Sequence, residues 1–149
     1  MELTLPAWVQ ESVATFGRQF GLTAWALTPK GTAALRFEHG VELQLELTRD
    51  RFYLMLLRAC DPTLGQLQRL LQTVHPDVQG DEGVRAALHT RRAMAMWVAS
   101  CPVEEVTPDR LEALFNAVWE ASEGLPNDYV ARSKSSCMGG GKRWRCNPV

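Results

Sequence analysis

Residues 41–48 alternate without a break: Val41, Leu43, Leu45 and Leu47 against Glu42, Gln44, Glu46 and Thr48. A helix would spread those four aliphatic side chains around its circumference, whereas a strand places them on one face. The run therefore calls for a sheet with one buried face and one solvated face, as antiparallel sheets provide. Its neighbours agree. Ala33, Leu35 and Phe37 alternate with Thr32, Ala34 and Arg36, and Glu38-His39-Gly40 supplies a turn between the two runs. Arg49-Asp50 turns again into Phe52–Leu57, an apolar run that suits a strand covered on both faces. Upstream, Thr23–Thr28 reads as a further short strand ending at Pro29-Lys30-Gly31, a turn signal. Four strands joined by such short turns form an antiparallel meander, because parallel neighbours need long crossovers.

Helical periodicity flanks this meander. From Pro6 to Phe20, Val9, Val13, Phe16 and Phe20 share one face, with Pro6 in the first turn and Gly21 as the stop. Asp61-Pro62 opens a second helix by capping, Leu64, Leu67, Leu70, Leu71 and Val74 follow helical spacing, and His75-Pro76 ends it. A polar linker, Asp77–Gly83, follows. Thr107-Pro108 repeats the cap-plus-proline signal before Leu111, Leu114, Phe115, Val118 and Trp119, and this last helix ends near Gly124.

Residues 84–100 carry two patterns. Alanine and arginine favour helix by propensity. Against that, Met94, Met96 and Val98 alternate with Ala93, Ala95 and Ala99, and Thr90-Arg91 could turn a hairpin between Arg85–His89 and Arg92–Ser100. Read as a hairpin, the order is helix, antiparallel meander, helix, two strands, helix. That is an α+β fold, with helices packed on a twisted antiparallel sheet.

Length and charge narrow the function. A chain of 149 residues that is 46% hydrophobic can bury one core and is too apolar for disorder. No apolar run approaches the roughly 18 residues of a membrane span, and no cationic segment precedes a signal-like core. The net charge of −1 hides an asymmetry: no acidic residue follows Asp128, while Arg132, Lys134, Lys142, Arg143 and Arg145 do. Residues 1–126 are thus expected to form an acidic domain, and 127–149 a flexible basic tail too weakly charged to predict a nucleic-acid partner.

Chemistry is harder to find. The sequence lacks a phosphate loop, a dinucleotide fingerprint, a zinc-protease motif and a nucleophile elbow. His39, His75 and His89 are too scattered to act together. Cys60 and Cys101 end apolar runs and read as reduced, partly buried thiols, while Cys137 and Cys146 have no nearby histidine to complete a metal site. No catalytic residue, metal or cofactor is predicted. What remains is apolar surplus: Met94, Met96, Trp97, Trp8, Trp25 and Trp119 exceed what a small two-layer domain readily hides, and methionine and aromatics are enriched at interfaces.

Taken together, the amphipathic first helix, the run Gly31-Thr-Ala-Ala-Leu-Arg-Phe-Glu-His-Gly-Val-Glu-Leu-Gln-Leu-Glu-Leu, the strand Phe52–Leu57, the leucine-rich helix and the final helix resemble the class I type III secretion chaperones, the CesT/SycE-like proteins that serve effectors or the secretion gatekeeper. The resemblance spans about residues 5–124 and lies in architecture and patterning. The basic tail departs from it, and the alanine-rich 84–100 region matches its later strands weakly. It implies a bacterial cytoplasmic dimer, a homodimer or a heterodimer with a related chaperone, without cofactor. Such a dimer would hold an extended N-terminal segment of a secreted protein ready for export. By family position, Val9, Phe16, Trp25, Leu35 and Phe37 would present client pockets, and Leu64, Leu67, Met94, Met96 and Val98 would form the two-fold interface. The residues by themselves also permit an α+β interaction or sensory module unrelated to secretion.

Overall fold

A computed structural model describes residues 3–61, 63–75, 83–89, 91–125 and 146–148. Its elements run α1 (Ala7–Arg18), β1 (Thr32–Phe37), β2 (Glu42–Leu47), β3 (Arg51–Ala59), α2 (Leu64–Gln72), β4 (Arg85–His89), β5 (Met94–Pro102), α3 (Pro108–Glu123) and β6 (Cys146–Pro148). One sheet takes them in the spatial order β4-β5-β3-β2-β1-β6, every neighbouring pair antiparallel. The fold is the expected α+β class. The alternation of 84–100 resolves as the β4–β5 hairpin, with Ala87 opposite Met96 and Arg85 opposite Val98. Helix propensity loses there because pairing along β3 buries Ala95, Trp97, Ala99 and Cys101 on one face.

Alternation sorts every strand onto two faces. Leu35, Leu43, Phe52, Leu54, Leu56 and Trp97 have no exposed surface and meet α1 and α3. From α1 come Val9, Val13 and Phe16, and from α3 Leu111, Leu114 and Val118, all fully buried. Each such side chain contributes about 1.5–3 kcal/mol of apolar burial. An aromatic stack joins the layers: Phe16, Phe20, Phe37, Phe115 and Trp119 sit at centroid spacings between 5.1 and 6.3 Å. Local signals end the helices. The Thr107 hydroxyl accepts the Arg110 N–H at 3.1 Å, with Pro108 in the first turn of α3. Gly21 takes a left-handed φ of 77° while Leu22 N–H reaches back to the Gly17 carbonyl at 3.1 Å, closing α1.

Four expectations are corrected. Thr23–Thr28 is no strand, so the meander has three strands. Ala24 has φ 66°, breaking extension, and Leu27 takes its hydrogen bonds from a side chain: Gln10 Oε1 accepts the Leu27 N–H at 2.9 Å and Gln10 Nε2 donates to the Leu27 carbonyl at 3.0 Å. Trp25 and Leu27 are still buried, so the period of two reported burial without a ladder. Second, α2 is capped by Thr63, whose hydroxyl accepts the Gln66 N–H, and begins after Asp61. Third, β3 is fully covered on one face only, since Tyr53 and Met55 opposite the core remain partly exposed. Finally, Pro6 lies one residue before α1, extended, with its carbonyl accepting from Val9 and Gln10.

The linker of 77–83 lies outside the described residues except Gly83, as does the 127–149 tail except β6. Cys60 and Cys101 are free and buried, and burial pushes both thiols up, so they stay protonated at neutral pH.

Candidate functional site

The site is built on β1 and the surface either side of it. Phe37 N–H donates to the Val41 carbonyl and Leu47 N–H to the Gly31 carbonyl, which sets the odd-numbered residues of β1 facing β2. Backbone groups of Thr32, Ala34 and Arg36 therefore point away from β2, toward the side on which β6 pairs with Leu35–Phe37. Thr32 spends its carbonyl on Thr28 N–H at 2.8 Å. Beside it lies a groove of about 410 Å³ whose walls include Trp25, Ala26, Thr28, Ala34, Gln44 and Met55. One wall is thus the irregular segment that Gln10 pins, and the floor is the sheet face away from the helices. Gly17 lets that segment approach, because a Cβ there would stand 2.9 Å from Trp25 Cβ.

Across the same sheet face runs a partly exposed apolar band: Ala34, Tyr53, Met55, Met94, Met96 and Val98. Met55 is opposite Val98, and Leu57 opposite Met96. Glu42 interrupts the band at the hairpin end. Though almost buried, its carboxylate pairs with Arg36 at 3.5 Å and Arg92 at 3.3 Å and accepts from the Gln44 amide. Burial pulls its pKa up, but Gln44, Arg92 and Arg36 together outweigh that and hold it below its ordinary value. The cluster ties β1, β2 and the β4–β5 turn together.

The nominated residues divide. Val9, Phe16 and Leu35 have no exposed surface, while Phe37 and Trp25 retain a little. The structure brings Phe16 within 6.3 Å of Trp25, and Trp25 alone of the five both packs on the core and borders the groove. Leu64 is 73% exposed on α2 and Leu67 half-buried. Helix α2 rests on the core side: the Thr73 hydroxyl donates to the Leu70 carbonyl at 2.6 Å and accepts Trp97 Nε1–H at 2.9 Å. Met94, Met96 and Val98 alternate with Trp97 and so face the other way. Among the described residues, β4 is the outermost strand on that side of the sheet.

Sequence reading missed three contributors. Gln10 lies off the apolar face of α1 that the periodicity marks, and Glu42 falls on the solvated side of its strand pattern. Arg58 ends on the core face beneath Trp119, its guanidinium 4.9 Å from the ring centroid and its Nε without a partner. Burial lowers its pKa, and Glu123 opposes that shift. Only the even numbering of Arg58 in β3 hinted that it faces inward. Among the described residues no group of three His, Cys, Asp or Glu could hold a metal, and no helix is long and apolar enough to cross a membrane.

A helix-backed antiparallel sheet with a side groove and a half-buried apolar face makes up the described residues, and the fold is that of the type III secretion chaperones. No family model matches the sequence, and no curated protein matches it. Solved structures do. The structure of the ExsC–ExsE complex matches with TM-score 0.65 and 18% identity, over 85% of this chain and 99% of the other. The HopA1–SchA chaperone–effector complex matches with TM-score 0.62 and 18% identity, over 79% and 92%. The Yersinia pestis type III secretion chaperone SycH, solved with a stable fragment of YscM2, matches with TM-score 0.60 and 12% identity, over 79% and 99%.

Proposed function

We propose that the chain is a non-catalytic chaperone of the bacterial cytoplasm that holds an extended N-terminal segment of a type III secreted protein in export-competent form. The observation that carries this reading is the β1 edge with its groove, on a fold shared with chaperones solved in complexes. An extended client can pair with the outward groups of Ala34 and Arg36 and set a side chain in the groove. In this reading Trp25 is the contact, and Val9, Phe16, Leu35 and Phe37 form the packed wall behind it.

The working unit is a dimer of this chain, or a heterodimer with a related chaperone. A partner wrapping the β4 edge would cover both Leu64, Leu67 and Leu71 on α2 and Met94, Met96 and Val98 on β5. Leu64 and Leu71 are 73% and 66% exposed, more than any other leucine here needs.

Cross-linking in the native cell, followed by mapping of the joined peptides, tests the reading. Peptides from the N-terminal region of one secreted protein are expected, joined near Ala34 and Arg36, on a species twice the 16.7 kDa of the chain before client is added. Met96→Glu should convert that species to monomer with little change in melting temperature. A wild-type chain that sediments as a monomer at micromolar concentration, or one cross-linked only to a folded domain, would overturn the proposal.

A further inference from the structure

The sheet does not end at β1. Cys146–Pro148 pairs with it, Cys146 opposite Phe37, Asn147 opposite Arg36 and Pro148 opposite Leu35. Resting on the chaperone reading above, we propose that this strand is an internal occupant of the client edge, which an extended client must displace.

The register fits the role. Since Leu35 and Phe37 turn their backbone groups to β2, Arg36 and Asn147 form the hydrogen-bonded pair of the β1–β6 ladder. Pro148 falls at a non-bonded position, where its missing N–H costs the ladder nothing. On its outer side that same lack blunts the edge against a further strand. With β6 in place the sheet offers a poor template, and without it the groups of Arg36 are exposed for pairing. The twenty residues 126–145 can span up to about 66 Å when extended. The ladder is short, one bonded pair among the described residues, and the groove beside Ala34 lies beyond its register. A client that pairs along β1 and also fills the groove has the larger contact and displaces the tripeptide.

Hydrogen exchange of the Arg36 amide tests the pairing without any client. The full chain is compared with Asn147→Pro, which removes the paired donor, and with a chain ending at Arg145. An edge held closed about nine-tenths of the time weakens apparent affinity about tenfold, so Arg36 should exchange about tenfold faster in both variants. The Leu35 and Phe37 amides, bonded to β2, should not change. The second arm uses a synthetic peptide of residues 141–149 carrying Cys146→Ser, which should bind the shortened chain about tenfold more tightly than the full chain.

Unchanged Arg36 exchange in both variants overturns the inference. So does Arg36 protection that disappears on dilution, because the strand would then come from a second copy. Equal peptide binding to both chains also overturns it, since the strand would mask nothing. Failure of the chaperone reading looks different: no secreted protein is cross-linked, while Arg36 behaves as stated.

Discussion

The two faces of this sheet share strands and backbone yet are built on different terms. On one, Leu35, Leu43, Phe52, Leu54, Leu56 and Trp97 are sealed beneath α1 and α3. On the other, Tyr53, Met55, Met96 and Val98 stay half-exposed, and the main polar anchor is the Glu42 cluster. The first face holds the fold together, whereas the second, with the edges that bound it, is available for partners. Residue choice reflects this division. Branched and aromatic side chains fill the sealed face, where close packing favours well-defined shapes, and flexible methionines recur on the half-exposed one.

Truncating equivalent apolar side chains on each face breaks the comparison most directly. Phe16→Ala removes a ring that touches Phe20, Trp25 and Phe115, and should cost about 3–5 kcal/mol in urea unfolding. Met55→Ala, on the half-exposed face, should cost at most about 1 kcal/mol in a monomeric sample. Equal losses would show that the second face is already a closed core. Next in size is Trp97→Phe. It keeps most of the buried ring but strands the Thr73 hydroxyl's acceptor side and should cost about 1–2 kcal/mol by the same measurement. A loss near zero would mean that the α2 contact contributes no net stability.

How far the sequence foretold this depends on whether a residue's role is local. Val41–Leu47 and the Thr107 cap were legible because strand alternation and helix capping are written within a few residues, whereas in 84–100 alternation competed with helix propensity. The segment around Trp25 misled for a physical reason: alternation reports which side chains are buried, and a glutamine amide can satisfy Leu27 as well as a strand can. The polar anchors were not legible. Gln10 finds Leu27 across 17 residues and Arg92 finds Glu42 across 50, and neither leaves a periodic trace. Strand β6 is the extreme case, since three residues at the end of a basic, glycine-rich stretch show no strand pattern at all. The faces were readable from period, and the polar anchors and the edge occupant only from tertiary placement.

The smallest expected effect isolates the polar anchor of the exposed face. Gln44, Arg92 and Arg36 hold the Glu42 carboxyl below its ordinary value of 4.5 despite the opposing pull of burial. A carboxyl depressed in the folded state stabilises fully above its unfolded pKa and loses that contribution as pH falls through the folded one. Glu42→Gln keeps the side-chain shape and removes the charge. It should therefore cost about 1 kcal/mol at pH 7, a typical net figure for such contacts, and less at pH 3, where a larger fraction of the wild-type carboxyl is protonated. Urea midpoints of both chains at the two pH values measure this difference. A penalty that persists undiminished at pH 3 would mean that the acceptor geometry of the carboxyl, rather than its charge, holds the hairpin. A penalty confined to neutral pH would leave Arg36 tethered by charge at the strand that meets the edge, so acid would loosen the candidate site while the helix-covered face stayed intact.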